Sequence, residues 1–239
     1  SYVTDMIDYN TEKGMKRSTG MELMENLWQV GGAEYTSVED AAVYLARFGE
    51  KAVLIDAGCG NAPEALFENI SEVLPPDVEI EYLLLTHCHY DHTGGAEAVR
   101  NRYGCRIAVH ELDAAFLENG DSTVTAANWY GARMNPLKID HKINAKEETF
   151  QVGEGKLTAY HCPGHSPGSV VYFAQIDSNR VLFGQDVHGP LEASFLSNRE
   201  KYIHSLKFMM GLNADVLCEG HFGVYQGNDR VSRFIQSYL

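Results

Sequence analysis

Apolar runs along this chain are short, and glycine, proline or a charged turn separates nearly every run from the next. Runs of about four to eight apolar residues between turn signals read as strands, and apolar residues recurring every three or four read as helices. Leu27–Val30 followed by Gly31 and Gly32 predicts a strand that ends in a turn. Ala41–Phe48 and Ala52–Ile55 flank Gly49, Glu50 and Lys51, which predicts a hairpin. Pro63 opens a helix with Ala65, Leu66, Ile70 and Val73 on one face, and Pro75 with Pro76 ends it. Ile80–Leu85 predicts a buried strand, Ala96–Tyr103 a helix, Arg106–Val109 a strand and Glu111–Glu118 a short helix. The second half repeats the rhythm. Strands are expected at Leu157–Tyr160, Val170–Phe173, Val181–Phe183 and Val216–Cys218, and helices at Arg199–Gly211 and Asp229–Tyr238.

Strands that are apolar on both faces must be covered on both sides. Two strand-rich halves with their own helices are satisfied by an α/β (α+β) fold of four layers, an αββα sandwich of helix, sheet, sheet and helix. No linker interrupts the pattern, so 1–239 is expected to form a single domain. Residues 1–20 are polar and read as a peripheral segment. Residues 120–137 carry a weak pattern with Trp129 and Tyr130 as their only large anchors, and read as an inserted loop near the mouth of a site.

Composition narrows the function classes. A chain of this length buries roughly three quarters of its unfolded surface and needs no disulfide staples. Its cysteines (Cys59, Cys88, Cys105, Cys162 and Cys218) are odd in number and form no Cys-x-x-Cys pair, which favours a reducing compartment. Residues 1–15 hold no apolar signal core, and no run approaches membrane-spanning length. The expectation is a cytoplasmic protein with no membrane partner. The net charge of −14 repels phosphate backbones, so nucleic acid is not expected either. Bound divalent cations would make a site far less negative than the chain average.

Candidate chemistry concentrates behind the strand Ile80–Leu85. His87, His89 and His92 fall within six residues with Asp91 between them. Alternation in an extended segment puts His87 and His89 on one side, while Asp91 and His92 follow after a turn. Such spacing serves two metals about 3.5–4 Å apart, as dinuclear hydrolases require. Three later loops each follow a strand and carry one further donor beside glycine: His165, Asp186 and His221. Five imidazoles and two carboxylates without thiolate suit zinc, iron or manganese.

These residues resemble the metallo-β-lactamase superfamily, and within it the glyoxalase II-like dinuclear metallohydrolases. The likeness runs from Leu54–Gly58 to Gly220 and His221. The resemblance implies the αββα sandwich. It implies one metal on His87, His89 and His165, the other on Asp91, His92 and His221, and Asp186 bridging both. Asp56 would sit under the metal loops and orient the ligands. Two divalent ions are expected, zinc ahead of iron or manganese. Asp91 is expected to be catalytic, orienting the attacking hydroxide shared by the metals and taking its proton.

The implied reaction is hydrolysis of an ester, thioester or related bond of a small molecule. A non-heme diiron redox protein, reducing oxygen or nitric oxide, is the alternative on the same ligands. Family substrates diverge here. The helical extension of glyoxalase II is not expected after His221, and Val187–Pro190 lacks the tyrosine that quorum-signal lactonases place after the bridging aspartate. Specificity is expected from 121–137 and 187–199, with Tyr90, His188, Trp129 and Phe195 as pocket residues and Tyr130, Met134, Leu191 and Leu196 nearby. Exposed apolar residues there also offer a homodimer surface. Cys88 is expected to pack rather than react, Ser166 to hydrogen-bond within its loop, and His110, His141, His161 and His204 to have structural or surface roles.

Overall fold

Alternation within single strands sets the layers. In strand β4 (Lys51–Ile55), Ala52 and Leu54 point to one face and Val53 and Ile55 to the other, and all four are buried. The next strand in the sheet, Glu79–Leu84, repeats this with Leu83 outward and Leu84 inward. A sheet buried on both faces needs two partners, and the computed structural model, which describes residues 21–239, supplies them. The expectation of a peripheral segment at 1–20 lies outside the described residues.

The first sheet runs in sequence order: β1 (Glu22–Met24), β2 (Leu27–Gly31), β3 (Val43–Phe48), β4, β5 (Glu79–Leu84), β6 (Arg106–His110) and β7 (His141–Ile143). β1 to β4 pair antiparallel and β4 to β7 parallel. Parallel neighbours need crossovers. These contain α1 (Pro63–Val73), a single turn α2 (Tyr90–Thr93) with α3 (Ala96–Tyr103), and α4 (Glu111–Glu118). The second sheet comprises β8 (Glu147–Val152), β9 (Gly155–His161), β10 (Val170–Ile176), β11 (Asn179–Gln185), β12 (Val216–Glu219) and β13 (Val224–Gln226). Only β11 and β12 pair parallel, through α5 (Arg199–Gly211), and α6 (Asn228–Gln236) closes the described chain.

Three apolar layers follow. Leu66, Ile70, Val99, Ala114 and Leu117 of the helices pack on Leu45, Leu54, Leu83 and Val109 of the first sheet. Tyr44, Val53, Ile55 and Leu84 meet Phe150, Leu157, Tyr172 and Phe183 between the sheets. Tyr202, Leu206, Met209, Val231 and Ile235 cover Val171, Leu182 and Leu217 of the second sheet. This is the four-layer αββα sandwich that the sequence predicts.

Proline and glycine punctuate the helices as expected: Pro63 occupies the first turn of α1, and Gly104 ends α3 at φ +68°. Four short or polar strands, β1, β7, β8 and β13, are absent from the sequence reading. The loop 120–137 corrects it as well. Its anchors are Val124, Ala127, Met134 and Leu137, all buried in the first layer, whereas Trp129 is 57% exposed. An aromatic side chain need not be the anchor when smaller neighbours already fill the groove.

Candidate metal centre

Four loops converge at one end of the sandwich. His87 and His89 leave the C-terminal end of β5, and Asp91 and His92 ride on α2 directly after. His165 lies between β9 and β10, Asp186 just past β11, and His221 just past β12. β9, β11 and β12 run in one direction, so their C-terminal ends share an edge. The two halves are pinned there by backbone: the amide of Val170 donates to the carbonyl of Thr86 at 2.8 Å, and that of Ala42 to Gly220 at 2.8 Å. A turn at Gln185, with φ +56°, delivers Asp186.

The seven side chains form two groups that share Asp186. Donor atoms of His87, His89, His165 and Asp186 lie within 4.8 Å of one another, and so do those of Asp91, His92, Asp186 and His221. In the first group Nε2 of His87 faces Nδ1 of His89 at 3.1 Å, and Nε2 of His165 lies 3.3 Å from Asp186 Oδ2. In the second, Nε2 of His221 is 2.9 Å from Asp91 Oδ2, and Nε2 of His92 is 3.2 Å from Asp186 Oδ1. A methyl group on Gly220 would meet Asp186 Oδ1 at 2.0 Å, so only glycine leaves the shared carboxylate its place.

Hydrogen bonds behind the rings decide which nitrogen faces inward. Asp56, left-handed at φ +63°, accepts from the Thr86 amide at 2.8 Å, the Thr86 hydroxyl at 2.7 Å and His92 Nδ1 at 2.7 Å. The Thr86 hydroxyl proton is thus committed to Asp56, and its oxygen accepts from His87 Nδ1 at 2.9 Å. His165 Nδ1 donates to the Pro190 carbonyl at 2.7 Å. His87 and His165 therefore turn unprotonated Nε2 atoms inward when neutral. Nε2 of His165 and Oδ1 of Asp186 are buried and make no hydrogen bond. Lone pairs gathered without donors are what a cation satisfies, so the donor set fits divalent metals.

Electrostatics divide the groups. Burial and the neighbouring imidazoles hold His87 and His89 well below the usual histidine range, hence neutral. Burial would lower His221 too, but the Asp186 and Asp91 carboxylates override it and push it up to about 10. His92 is likewise raised, against its burial, by Asp186, Asp91 and Asp56. Without metal, the second group is held together by protons, which cations replace.

The remaining expected residues sit as follows. Phe195 is buried with its ring 4.3 Å from His89, and Trp129 leans on Phe195 at 4.9 Å. Tyr130 lies beside Asp91; burial, then that carboxylate, keeps its phenol protonated. Tyr90 is half-buried between the first core layer and Tyr130. His188 stands with its ring 5.4 Å from His221 and its Nδ1 on the Glu219 carboxylate. Cys88 is buried in the first core layer, and its thiol is pushed up by burial, as packing requires. His110 caps α4, accepting from the Leu112 amide, and stacks on His161 at 3.9 Å.

Two carboxylates escaped sequence reasoning. Glu219, fully buried, accepts from the amides of His221 and Phe222 as well as from His188. Its signal was a charge ending the apolar run Val216–Cys218. Asp113, also fully buried, accepts from Cys88, Ser166 and Gly168, and nothing in its helical context announced it.

Comparison with known proteins places the chain in a family. A family model described as metallo-beta-lactamase superfamily matches residues 37–221, which include all seven donors and Asp56. The chain is 28% identical over 235 residues to the acyl-coenzyme A thioesterase MBLAC2 of Gallus gallus, covering 86% of this chain and 80% of that protein. It is 30% identical over 141 residues to the probable metallo-hydrolase MJ0888 of Methanocaldococcus jannaschii, covering 58% of this chain and 66% of that one. Among solved structures, the subclass B3 metallo-beta-lactamase BJP-1 of Bradyrhizobium japonicum shares the fold at a TM-score of 0.72 and 22% identity, over 91% of this chain and 89% of that one. The B3 metallo-beta-lactamase BLEG-1 matches at a TM-score of 0.67 and 26% identity, over 78% of this chain and 88% of that one. Two stacked sheets flanked by helices, converging His and Asp donors and a match across three quarters of the sequence make one conclusion: the chain belongs to the metallo-beta-lactamase superfamily, a superfamily of metallo-hydrolases.

Proposed function

We propose that this protein is a dinuclear metal-dependent hydrolase that cleaves an acyl thioester, or a related ester, of a small molecule. The observation that carries the reading is Asp186, whose carboxylate belongs to both donor groups at once. His87, His89 and His165 would hold one divalent cation, Asp91, His92 and His221 a second, and Asp186 would tie them together. Zinc suits imidazole and carboxylate donors without thiolate. Bound there, such a pair supplies Lewis acidity, lowering the pKa of water and polarising a carbonyl oxygen.

The protein's own groups do the rest. Asp91 orients the attacking water and takes up its proton at a carboxylate oxygen. Its Oδ2 already faces His221 at 2.9 Å, which limits the directions that oxygen can turn. Tyr130, kept protonated beside Asp91, offers a hydroxyl donor at the edge of the site. Phe195 and Trp129 form an apolar wall next to His89, suited to an acyl group and able to exclude water from that side. The relative named as an acyl-coenzyme A thioesterase supports the choice of thioester. Among the described residues, no helix is long and apolar enough to cross a membrane.

Zinc-loaded protein assayed against acyl-coenzyme A thioesters and simple acyl esters, with free thiol or acid as the readout, tests this reading. Turnover of thioesters that disappears on chelation is expected. A fully metal-loaded protein that cleaves neither class, or that binds iron and consumes oxygen instead, would sink it.

A further inference from the structure

Asp113 has no place in the chemistry above, yet it is among the most completely buried charged side chains in the described protein. It sits in the first turn of α4 and reaches two of the donor loops. Its Oδ2 accepts from the amide of Cys88 at 2.8 Å and from the hydroxyl of Ser166 at 2.7 Å, and its Oδ1 accepts from the amide of Gly168 at 2.6 Å. Cys88 lies between His87 and His89, and Ser166 follows His165. The carboxylate thus ties together the backbone segments that carry all three histidines of the first group.

The surroundings are built for this contact. A methyl group on Gly168 would meet the Asp113 amide nitrogen at 2.6 Å and Oδ1 at 2.7 Å, so only glycine permits the approach. Ser169 braces the loop from within: its hydroxyl lies 2.8 Å from that of Ser166 and accepts the Ser166 amide at 3.1 Å. All three of Asp113's donors are neutral. Burying an ionised carboxylate without a basic partner is costly, and cations on the adjacent histidines would offset that cost.

We propose that Asp113 is a positioning residue for the His87–His89–His165 group, setting the cation affinity of that group and not of Asp91–His92–His221. The inference rests on reading the two groups as cation sites. The substitution Asp113→Asn tests it closely, because both oxygens of Asp113 accept from donors. The side-chain NH2 that this substitution introduces must face the Gly168 N–H, or else the Cys88 N–H and Ser166 hydroxyl, at nearly unchanged volume.

The experiment is a cobalt(II) titration of the metal-free full chain, followed by visible absorption, for wild type, Asp113→Asn, Ser166→Ala and His89→Ala. His89→Ala removes one donor of the first group and supplies the spectrum of the second group alone. Two equivalents are expected for wild type. Asp113→Asn should keep one of them at wild-type affinity, with the spectrum seen in His89→Ala, and bind the other about 10–100-fold more weakly. Ser166→Ala, which removes one of the three donors, should show a smaller loss confined to the same equivalent. Equal weakening of both equivalents would assign Asp113 to general stability, and unchanged binding of both would end the proposal. If Asp113→Asn does not fold, Ser166→Ala decides between the same outcomes. A wild-type chain that takes up fewer than two equivalents rejects the two-cation reading and this inference with it. Wild-type uptake of two, with the variants unchanged, rejects this inference alone.

Discussion

Replacing Asp56 by asparagine isolates the contribution of the carboxylate beneath the donor loops. Asparagine tolerates the left-handed conformation that residue 56 adopts at φ +63°, so the backbone can stay in place. The loss falls on hydrogen bonding. The carboxylate accepts three short bonds, two from Thr86 and one from His92. The best arrangement for an amide keeps its oxygen toward the Thr86 hydroxyl and His92 Nδ1 and turns its NH2 toward the Thr86 amide. One charge-assisted bond then becomes a buried clash of donors, and the other two weaken. A lost hydrogen bond to a charged group costs about 1.5–3 kcal/mol, and a buried unpaired donor about 1–3 kcal/mol. Some relaxation leaves a net loss of about 2–4 kcal/mol. For a chain of this size that is a fall of about 5–15 °C in Tm. Metal affinity should fall by about 10–100-fold, because both His92 and, through Thr86, His87 lose their fixed orientation. Thermal unfolding of the metal-free protein and a competitive zinc titration measure the two effects separately. A variant that melts within about 1–2 °C of wild type, near the resolution of such scans, and binds zinc equally well would refute the hydrogen-bond argument.

Further outcomes follow from the same structure. Asp186→Ala should lose cation uptake and activity together, since both groups contain that carboxylate; full activity with full metal content, by elemental analysis, would contradict its role. Trp129→Ala should leave Tm within about 2 °C, because an exposed ring contributes little to stability. Its KM for long-chain acyl thioesters should rise about 5–30-fold, more than for short ones, as about 1–2 kcal/mol of apolar contact is lost; chain-length-independent kinetics would remove Trp129 from the acyl wall. His110 is lowered to about 4 by burial and by His161, below its ordinary 6.5. Between those values the unfolded chain binds more protons, so this stabilisation is complete above about pH 6.5 and is lost as pH falls toward 4. Urea denaturation at several pH values should show wild type losing stability relative to His110→Asn, which keeps a capping acceptor; parallel curves would contradict the assignment.

The donor loops were legible because their chemistry is concentrated in sequence. His87–His92 puts four donors behind one buried strand, and His165, Asp186 and His221 each follow an apolar strand close to a glycine. The layers were legible because β4 and β5 are apolar on both faces, and because proline and glycine mark the ends of α1 and α3. What stayed hidden depends on contacts between distant segments. Asp113 reads as an ordinary acid in the first turn of a helix, where the dipole favours it; only its contacts with Cys88, Ser166 and Gly168, 25 to 55 residues away, make it a buried strut. β1, β7 and β13 are three residues each, too short for a period to register. Trp129 reads as an anchor because bulk suggests burial, while Val124, Ala127, Met134 and Leu137 fill the space beneath its loop.

We propose that two cations sharing Asp186 make this protein a hydrolase. The most direct test is thioester hydrolysis measured while zinc is added back, equivalent by equivalent, to chelated protein. No turnover is expected at zero equivalents, with a rate that climbs until two equivalents per chain are bound. A rate indifferent to zinc, or no hydrolysis with both equivalents bound, would contradict it.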